Sequence, residues 1–171
     1  MARTSYSNVL ALPDAALQFQ FDLFFPTIPG GGNAQNLTYK VKGTSIPTSK
    51  IEPVVIELHG GKKQEAGRAQ YDHTFTCTFM ETVDYSTLLA FRAWRNYMRS
   101  WKNNTGANAA AYKVNLELDV YDNAGNIMQT LIMAGAWVQD IAEVTLNGAS
   151  SEAVEISITF SFDYIDSGNS W

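Results

Sequence analysis

The sequence is poor in the residues that do chemistry at neutral pH. Of its 171 residues only two are histidines, His59 and His73, and one is a cysteine, Cys77. A lone cysteine excludes an intrachain disulfide, and the histidines stand in no metal-ligating spacing such as HExxH, so no metal site is expected. Cys77 falls in the alternation His73, Phe75, Cys77, Phe79, which makes it a core filler on a strand. His59-Gly60-Gly61 superficially matches an oxyanion loop, yet no Gly-x-Ser-x-Gly elbow supplies a nucleophile. Neither Gly30-Gly31-Gly32 nor Gly60-Gly61-Lys62-Lys63 fits the phosphate-loop pattern, and both read as flexible turns. The expectation is a protein without catalytic residues and without a cofactor.

Long apolar runs are missing too. Nowhere do ~18 uncharged apolar residues follow one another, and Met1-Ala-Arg-Thr-Ser-Tyr-Ser leads into no signal-peptide stretch. The chain therefore reads as a soluble, cytosol-made protein with no membrane insertion, and the sequons at Asn36 and Asn103 carry no weight. Positive charge is absent from the last part of the chain: all 12 Lys and Arg precede Val114, whereas residues 114–171 hold nine acids. An acidic surface and a separate basic one follow from that asymmetry, unless the charges are merely spread over solvated faces. With a pI of about 4.9 there is no general electrostatic footprint for nucleic acid.

What the sequence does have is alternation. A hydrophobic share of 46%, an aromatic share of 12% and this length describe one domain spanning 1–171, able to bury ~70% of its unfolded surface. An N-terminal arm covers about residues 1–15. Leu17, Phe19, Phe21 and Leu23 alternate with polar residues, as do Leu37, Tyr39 and Val41, and both runs read as strands. Strands are also expected over 54–59, 71–80, 112–120, 127–134, 137–146 and 154–164, with a polar loop over 60–70 and a bend or bulge at Gly135. Between them the period changes. Leu88, Phe91, Trp94, Met98 and Trp101 recur at helical spacing and predict one helix over about 85–102, capped by Asp84. The fold class is mainly β: a β-sandwich or opened barrel with one α-helix over an end or side.

Two sets of charged residues stand out. Arg92, Arg95, Arg99 and Lys102 recur beside the apolar stripe as a basic ridge, either a docking surface for an acidic partner or routine solvated residues covering tryptophan. Glu117, Asp119, Glu155 and Asp163 lie on polar faces of the later strands. They read as solvated display, the competing reading being an acid–base pair in a carbohydrate-processing β-sandwich.

Several words of the sequence resemble the tail tube proteins of contractile-tailed bacteriophages. They are Lys42-Gly43 with Ile46-Pro47, His59-Gly60-Gly61, Phe79-Met-Glu-Thr-Val-Asp-Tyr-Ser-Thr-Leu88, Gly135-Ala-Trp-Val-Gln-Asp-Ile141, and Leu146-Asn-Gly-Ala-Ser-Ser-Glu-Ala-Val-Glu-Ile156 with Phe160-Ser-Phe-Asp-Tyr164. Their order, with a helix between two groups of strands, is that of a family shared with R-type bacteriocins and contractile injection systems. The resemblance implies hexameric rings whose subunits lend strands to a continuous β-barrel, stacked into a tube that conducts DNA. Its implied partners are further copies of the chain, the tail sheath, baseplate and tail terminator proteins, and the tape measure protein and DNA transiently in the lumen. The implied location is the virion tail, assembled in the host cytoplasm. The alternative is the tube or ring of an injection or secretion system carrying protein effectors. Within such a tube Glu117, Asp119, Glu155 and Asp163 are candidates to line the lumen, and Arg92, Arg95, Arg99 and Lys102 to face the sheath. The loop from Gly60, with Gly61, Lys62 and Lys63, is the candidate to reach the next ring.

Overall fold

The longest strand organises the domain. In the computed structural model, which describes residues 10–12, 15–149 and 151–167, β7 runs unbroken over Ile127–Ile141. Of the proposed arm over 1–15, residues 1–9, 13 and 14 lie outside the described residues. Before it come β1 (Phe21–Phe24), α1 (Ala34–Tyr39), β2 (Val41–Thr44), β3 (Ser49–Leu58), β4 (Gly61–Tyr71), β5 (Thr74–Met80), α2 (Ser86–Met98), α3 (Ala109–Tyr112) and β6 (Val114–Tyr121). After it come β8 (Glu155–Ser161) and β9 (Tyr164–Ser167). Seven strands make one ladder, β1-β6-β7-β8-β5-β2, with β9 also on β7.

The ladder folds over at Gly135. N-terminal to it, β7 pairs with β6 on one side and β9 on the other, so that Leu131 faces both Leu118 and Ser167. C-terminal to it, β7 pairs with β8, Trp137 opposite Ser161 and Ile141 opposite Ile158. The result is two antiparallel layers of four strands, β1-β6-β7-β9 and β2-β5-β8-β7, sharing one strand. Gly135 has φ +68, and a Cβ there would sit 2.3 Å from Asp163 Oδ2, so an L side chain meets both strain and collision. The same break interrupts the last strand, where Asp163 N–H donates to Ala134 O at 2.9 Å between β8 and β9.

Both inner faces feed one core. Leu23, Leu116, Leu118, Leu131 and Met133 of the first layer meet Phe75, Cys77, Phe79, Ile156, Ile158 and Phe160 of the second. Helix α2 adds Phe91, whose ring lies 4.9 Å from Phe79 and 5.8 Å from Phe160, and Trp94, 6.1 Å from Phe160. The Trp94 indole N–H donates to Tyr112 O at 3.0 Å, which satisfies the one polar atom its burial would strand. Burial also pushes the Cys77 thiol up to about 12, against a weaker opposing hydrogen bond from Thr44. A raised folded value means the thiol stays protonated in the fold after the unfolded chain has ionised, so its contribution to stability declines as pH rises from 9 towards 12.

Several local expectations are overturned for identifiable reasons. Residues 18 and 19 turn rather than extend, Phe19 is 76% exposed, and the first strand begins only at Phe21. The run from Leu37 to Tyr39 is helical because Asn33 caps it, its Oδ1 accepting from Asn36 N–H at 3.2 Å, and the strand starts at Val41. Residues 61–71 are a strand instead of a loop. The two strands expected on either side of Gly135 are one, ending at Ile141. Gly30-Gly31-Gly32 is no free turn, since a Cβ on Gly30 would lie 2.8 Å from Ala93 O of helix α2.

The helix is shorter than its periodicity. Arg99 is already extended at φ −155, and the chain folds back through Asn104 N–H to Ser100 O at 2.9 Å and Ser100 N–H to Thr105 O at 2.7 Å. Trp101, expected in the buried stripe, is 78% exposed. The expected single helix is joined by the short α1 and α3.

Trp94→Ala removes the largest fully buried side chain and is expected to lower stability by about 3–5 kcal/mol, read as a lower urea midpoint at unchanged slope. Alkylation of Cys77 should be negligible in the folded protein at pH 9 and rapid once denaturant exposes it.

Candidate assembly interface

The most exposed apolar element is the β3–β4 ribbon. Among the described residues its strands pair only with each other, in register from Ser49 opposite Tyr71 to Leu58 opposite Gly61, and close at His59 and Gly60. Every residue of β3 but Ile56 is exposed. Alternation puts Val54, Ile56 and Leu58 on one face and Ile51, Pro53 and Val55 on the other. Neither face rests on a core. Near the tip, Lys62 pairs with Glu57 at 2.9 Å and Lys63 with Glu65 at 2.5 Å. Gly60, Gly61, Lys62 and Lys63 thus form the end of a two-faced arm about 30 Å long, which follows β2 and precedes β5 in the chain.

Each layer of the sandwich has a solvent-facing side, and the two differ in chemistry. Beside Leu116 and Leu118, the outward residues of β6 are Glu117 and Asp119; β1 adds Asp22 and β9 adds Asp166 in the same rows. Thr130 donates to Asp119 at 2.5 Å. Tyr121 on this face has its phenol raised, first by desolvation and then by its bond to Asp22 and the nearby charges of Asp119 and Glu117. The second layer shows Thr74, Thr76 and Thr78 of β5 opposite Ser161, Thr159 and Ser157 of β8. Its hydroxyls meet across the strands, Thr76 with Thr159 at 3.4 Å and Thr78 with Ser157 at 3.5 Å. Glu155, on this second face, pairs with Lys42.

The four acids singled out in the sequence are therefore not brought together. Glu117 and Asp119 occupy one outer face and Glu155 the other, while Asp163 sits at the fold of β7, its carboxylate taken by Lys113 at 2.6 and 2.7 Å. The last-strand alternation had put Glu155 and Asp163 on one face, but the break at Phe162 and Asp163 separates them. The basic ridge is likewise only half helical. Arg92 and Arg95 lie exposed on α2, whereas Arg99 follows its end with a guanidinium donating to Asn104 O at 3.1 Å, and Lys102 stands 5.7 Å over the ring of Trp101.

One structural carboxylate escaped the sequence. Glu81, 9% exposed, accepts from the N–H groups of Thr87 at 3.2 Å and Leu88 at 2.9 Å, satisfying the first turn of α2. Lys40 bridges the same corner, its ammonium donating to the hydroxyls of Thr82 and Ser86 at 2.7 Å and of Thr87 at 3.2 Å. Tyr85 occupies the cap position in the left-handed region, with no side-chain cap of its own. Asp84, the expected cap, bonds Thr82 and is held below the usual carboxylate range chiefly by that hydroxyl, with a longer contact from Ser86 N–H at 3.4 Å. A cap drawn from five residues upstream lies outside the local spacing rule, although the run from Phe79 to Leu88 does contain it.

A double-layer β domain with free sheet edges and an exposed arm, among the described residues, has the surfaces that assembly with further copies would use. The chain belongs to the phage tail tube protein family, whose model matches residues 4–166. It is 24% identical over 133 residues to the tail tube protein gp19 of Enterobacteria phage T6, covering 76% of this chain and 81% of that protein. Its fold is similar to the tube-terminating cap of the anti-feeding prophage (TM-score 0.65, 13% identity, 98% and 100% of the two chains). It is also similar to a chain of the sheath–tube complex of an extracellular contractile injection system in its extended state (TM-score 0.63, 14% identity, 96% and 98%).

Glu81→Gln puts an amide where the helix needs an acceptor with charge, and is expected to lower stability by about 1–2 kcal/mol. Asp84→Asn should change it far less, and paired urea titrations of the two variants make the comparison.

Proposed function

We propose that this chain is the structural subunit of the inner tube of a contractile phage tail, in which six copies close each ring and rings stack into a conduit for DNA. The observation that carries this reading is the β3–β4 ribbon. A two-stranded ribbon with no supporting layer among the described residues is marginally stable in water, and this one exposes apolar side chains of β3 on both faces, so it needs surfaces from other copies above and below it. Free edges on both four-stranded layers support the same reading. Left open they invite uncontrolled pairing, and closure into a ring of sheets removes them.

In this assembly the ribbon tip, Gly60 to Lys63, reaches the adjacent ring. Arg92, Arg95, Arg99 and Lys102 face outward to the sheath, and the ends of the tube meet baseplate and terminator proteins. One outer face of the sandwich is the wall of the conduit, so Glu117 and Asp119 line it, or Glu155 does, but not all of them together. A tape measure protein and then DNA occupy the lumen in turn. The role is structural and takes no cofactor. Likeness to an injection-system tube favours a second reading, a conduit for protein effectors, and the match to the phage family weighs against it.

Removing residues 54–65, which pair among themselves, and closing the gap with two glycines is expected to leave single rings and abolish stacking; full-length tubes seen by negative-stain microscopy would refute the inter-ring role. Arg92→Glu with Arg99→Glu should leave bare tubes intact and impair sheath addition, more so at low salt. Normal sheathed tails from that double variant would remove the basic residues from the sheath interface.

A further inference from the structure

The connection from β7 to β8 carries a pair of residues that can react with each other. We propose that Asn147 is a site of spontaneous covalent modification: the backbone nitrogen of Gly148 closes onto its side-chain amide to form a succinimide, which water opens to aspartate and isoaspartate. The reaction needs one copy of the chain and water, so it stands apart from the tube reading above.

Sequence and backbone single out this position. Asn147 alone among the asparagines of the chain is followed by glycine. Neither reason that fixes glycine elsewhere in the domain applies to Gly148. Its φ lies outside the left-handed region, unlike that of Gly135, and a Cβ there would meet nothing within 4 Å, unlike one on Gly30. What glycine contributes at 148 is an unshielded nitrogen, because a side chain on that residue would stand beside the attacking atom and hinder ring closure. Both residues are exposed and lie outside helix and strand, which leaves their torsions free of a ladder.

The side chain is already folded toward its attacker. Asn147 Oδ1 accepts from Ala149 N–H at 3.0 Å, an Asx turn whose ring contains the backbone of Gly148. That hydrogen bond draws electron density from Cγ and sits where the oxyanion of the tetrahedral intermediate develops. Other asparagines are engaged differently. Asn115 lies within β6 and accepts from Gly135 N–H, Asn33 caps α1, and the Asn126 amide donates to Asp122.

The bond changes balance without a redox partner. Gly148 N gives its proton to solvent base and bonds to Cγ; the Cγ–Nδ2 bond breaks, and Nδ2 leaves as ammonia with a proton from water. Water then adds to one imide carbonyl. Opening at Cγ gives aspartate, and opening at the main-chain carbonyl gives isoaspartate, whose backbone runs through the former side chain. Either product adds a carboxylate to a connection that already holds Glu143 and Glu152, beside Glu155 at the start of β8. None of residues 145–149 belongs to the core, so conversion proceeds within the folded domain.

Peptide mapping tests the proposal. The full-length protein is incubated without denaturant in mildly alkaline and in mildly acidic buffer, then cut with a glutamate-specific protease, a time-zero digest correcting for conversion during the cut. Cleavage after Glu143 and Glu152 releases residues 144–152, in which Asn147 is the only amide side chain. The expected result is a time-dependent change from amide to acid mass in this peptide, faster in alkaline buffer because the attacking nitrogen must lose its proton. Its product should separate into two isomers, one of them a substrate for isoaspartate methyltransferase. The peptide carrying Asn123 and Asn126 should keep its amides over the same period. Gly148→Ala, which the open backbone accommodates, should lose most of the conversion at an unchanged urea midpoint. Conversion of Asn147 only in urea, or conversion of Gly148→Ala as fast as that of the native sequence, would overturn the proposal.

Discussion

Everything in this domain depends on how one strand passes from one sheet to another. At Gly135 the backbone takes a conformation that suits glycine, and the space a side chain would fill is held by the Asp163 carboxylate. Asp163 N–H ties the two halves at Ala134, Asn115 Oδ1 accepts from Gly135 N–H at 3.1 Å, and Lys113 neutralises the carboxylate. Because β7 belongs to both layers, the layers share a fixed crossing and one core, and each keeps four strands and two open edges. An ordinary closed sandwich buries its hydrophobic faces and is finished. This one is finished only on the inside.

The free surfaces divide by chemistry. Apolar side chains without a core lie on the ribbon, hydroxyls on one outer face, carboxylates on the other, and guanidinium groups around the end of α2. The charge asymmetry of the chain has a simple spatial origin. The acids of the C-terminal part lie on β6, β7, β8 and β9 and in their connections, whereas the described bases lie on the ribbon, on β2 and around α2, with Lys40 just before β2 and Lys113 just before β6. Lys42 with Glu155 and Lys113 with Asp163 are the places where the two halves of the sequence neutralise one another. Both pairs are partly solvent-exposed, so their worth lies in register rather than in large stabilisation.

Period-two alternation was legible wherever a strand has one buried face. The runs of β5, β6 and β8, the bend at Gly135 and the core set of α2 follow directly from residue spacing, because burial on one side imposes that spacing. It failed where a single side chain or a tertiary contact decides the conformation. Asn33 turns Leu37 to Tyr39 into a helix, and the return of the chain at Ser100 and Thr105 ends α2 before its apolar spacing does. Residues 61–71 show the opposite failure. A polar, glycine-bearing run lacks the apolar face by which a strand is recognised, yet it extends because its partner β3 supplies every cross-strand bond. The candidate site suffered most. Glu117, Asp119, Glu155 and Asp163 share a sequence pattern, but which layer a strand joins is a property of the shared strand and is not encoded in the strand's own alternation.

An exposed edge or arm is a liability in a protein that works alone and a requirement in one that works as a repeat. The subunit must survive before it assembles, so its core is complete without neighbours: Trp94, Phe91, Phe160 and Phe79 pack fully inside one copy. What remains unsatisfied is the ribbon, none of whose residues belongs to the core, and the open strand edges. Separating the groups that stabilise the monomer from those that join copies lets folding precede assembly. Ion pairs near the ribbon tip reinforce the separation, since Lys62 with Glu57 and Lys63 with Glu65 keep its end soluble while the apolar rows of β3 wait for cover. The hairpin is thereby protected from indiscriminate pairing by charge at its end and committed by apolar surface along its length, which is the balance a one-dimensional polymer of rings needs.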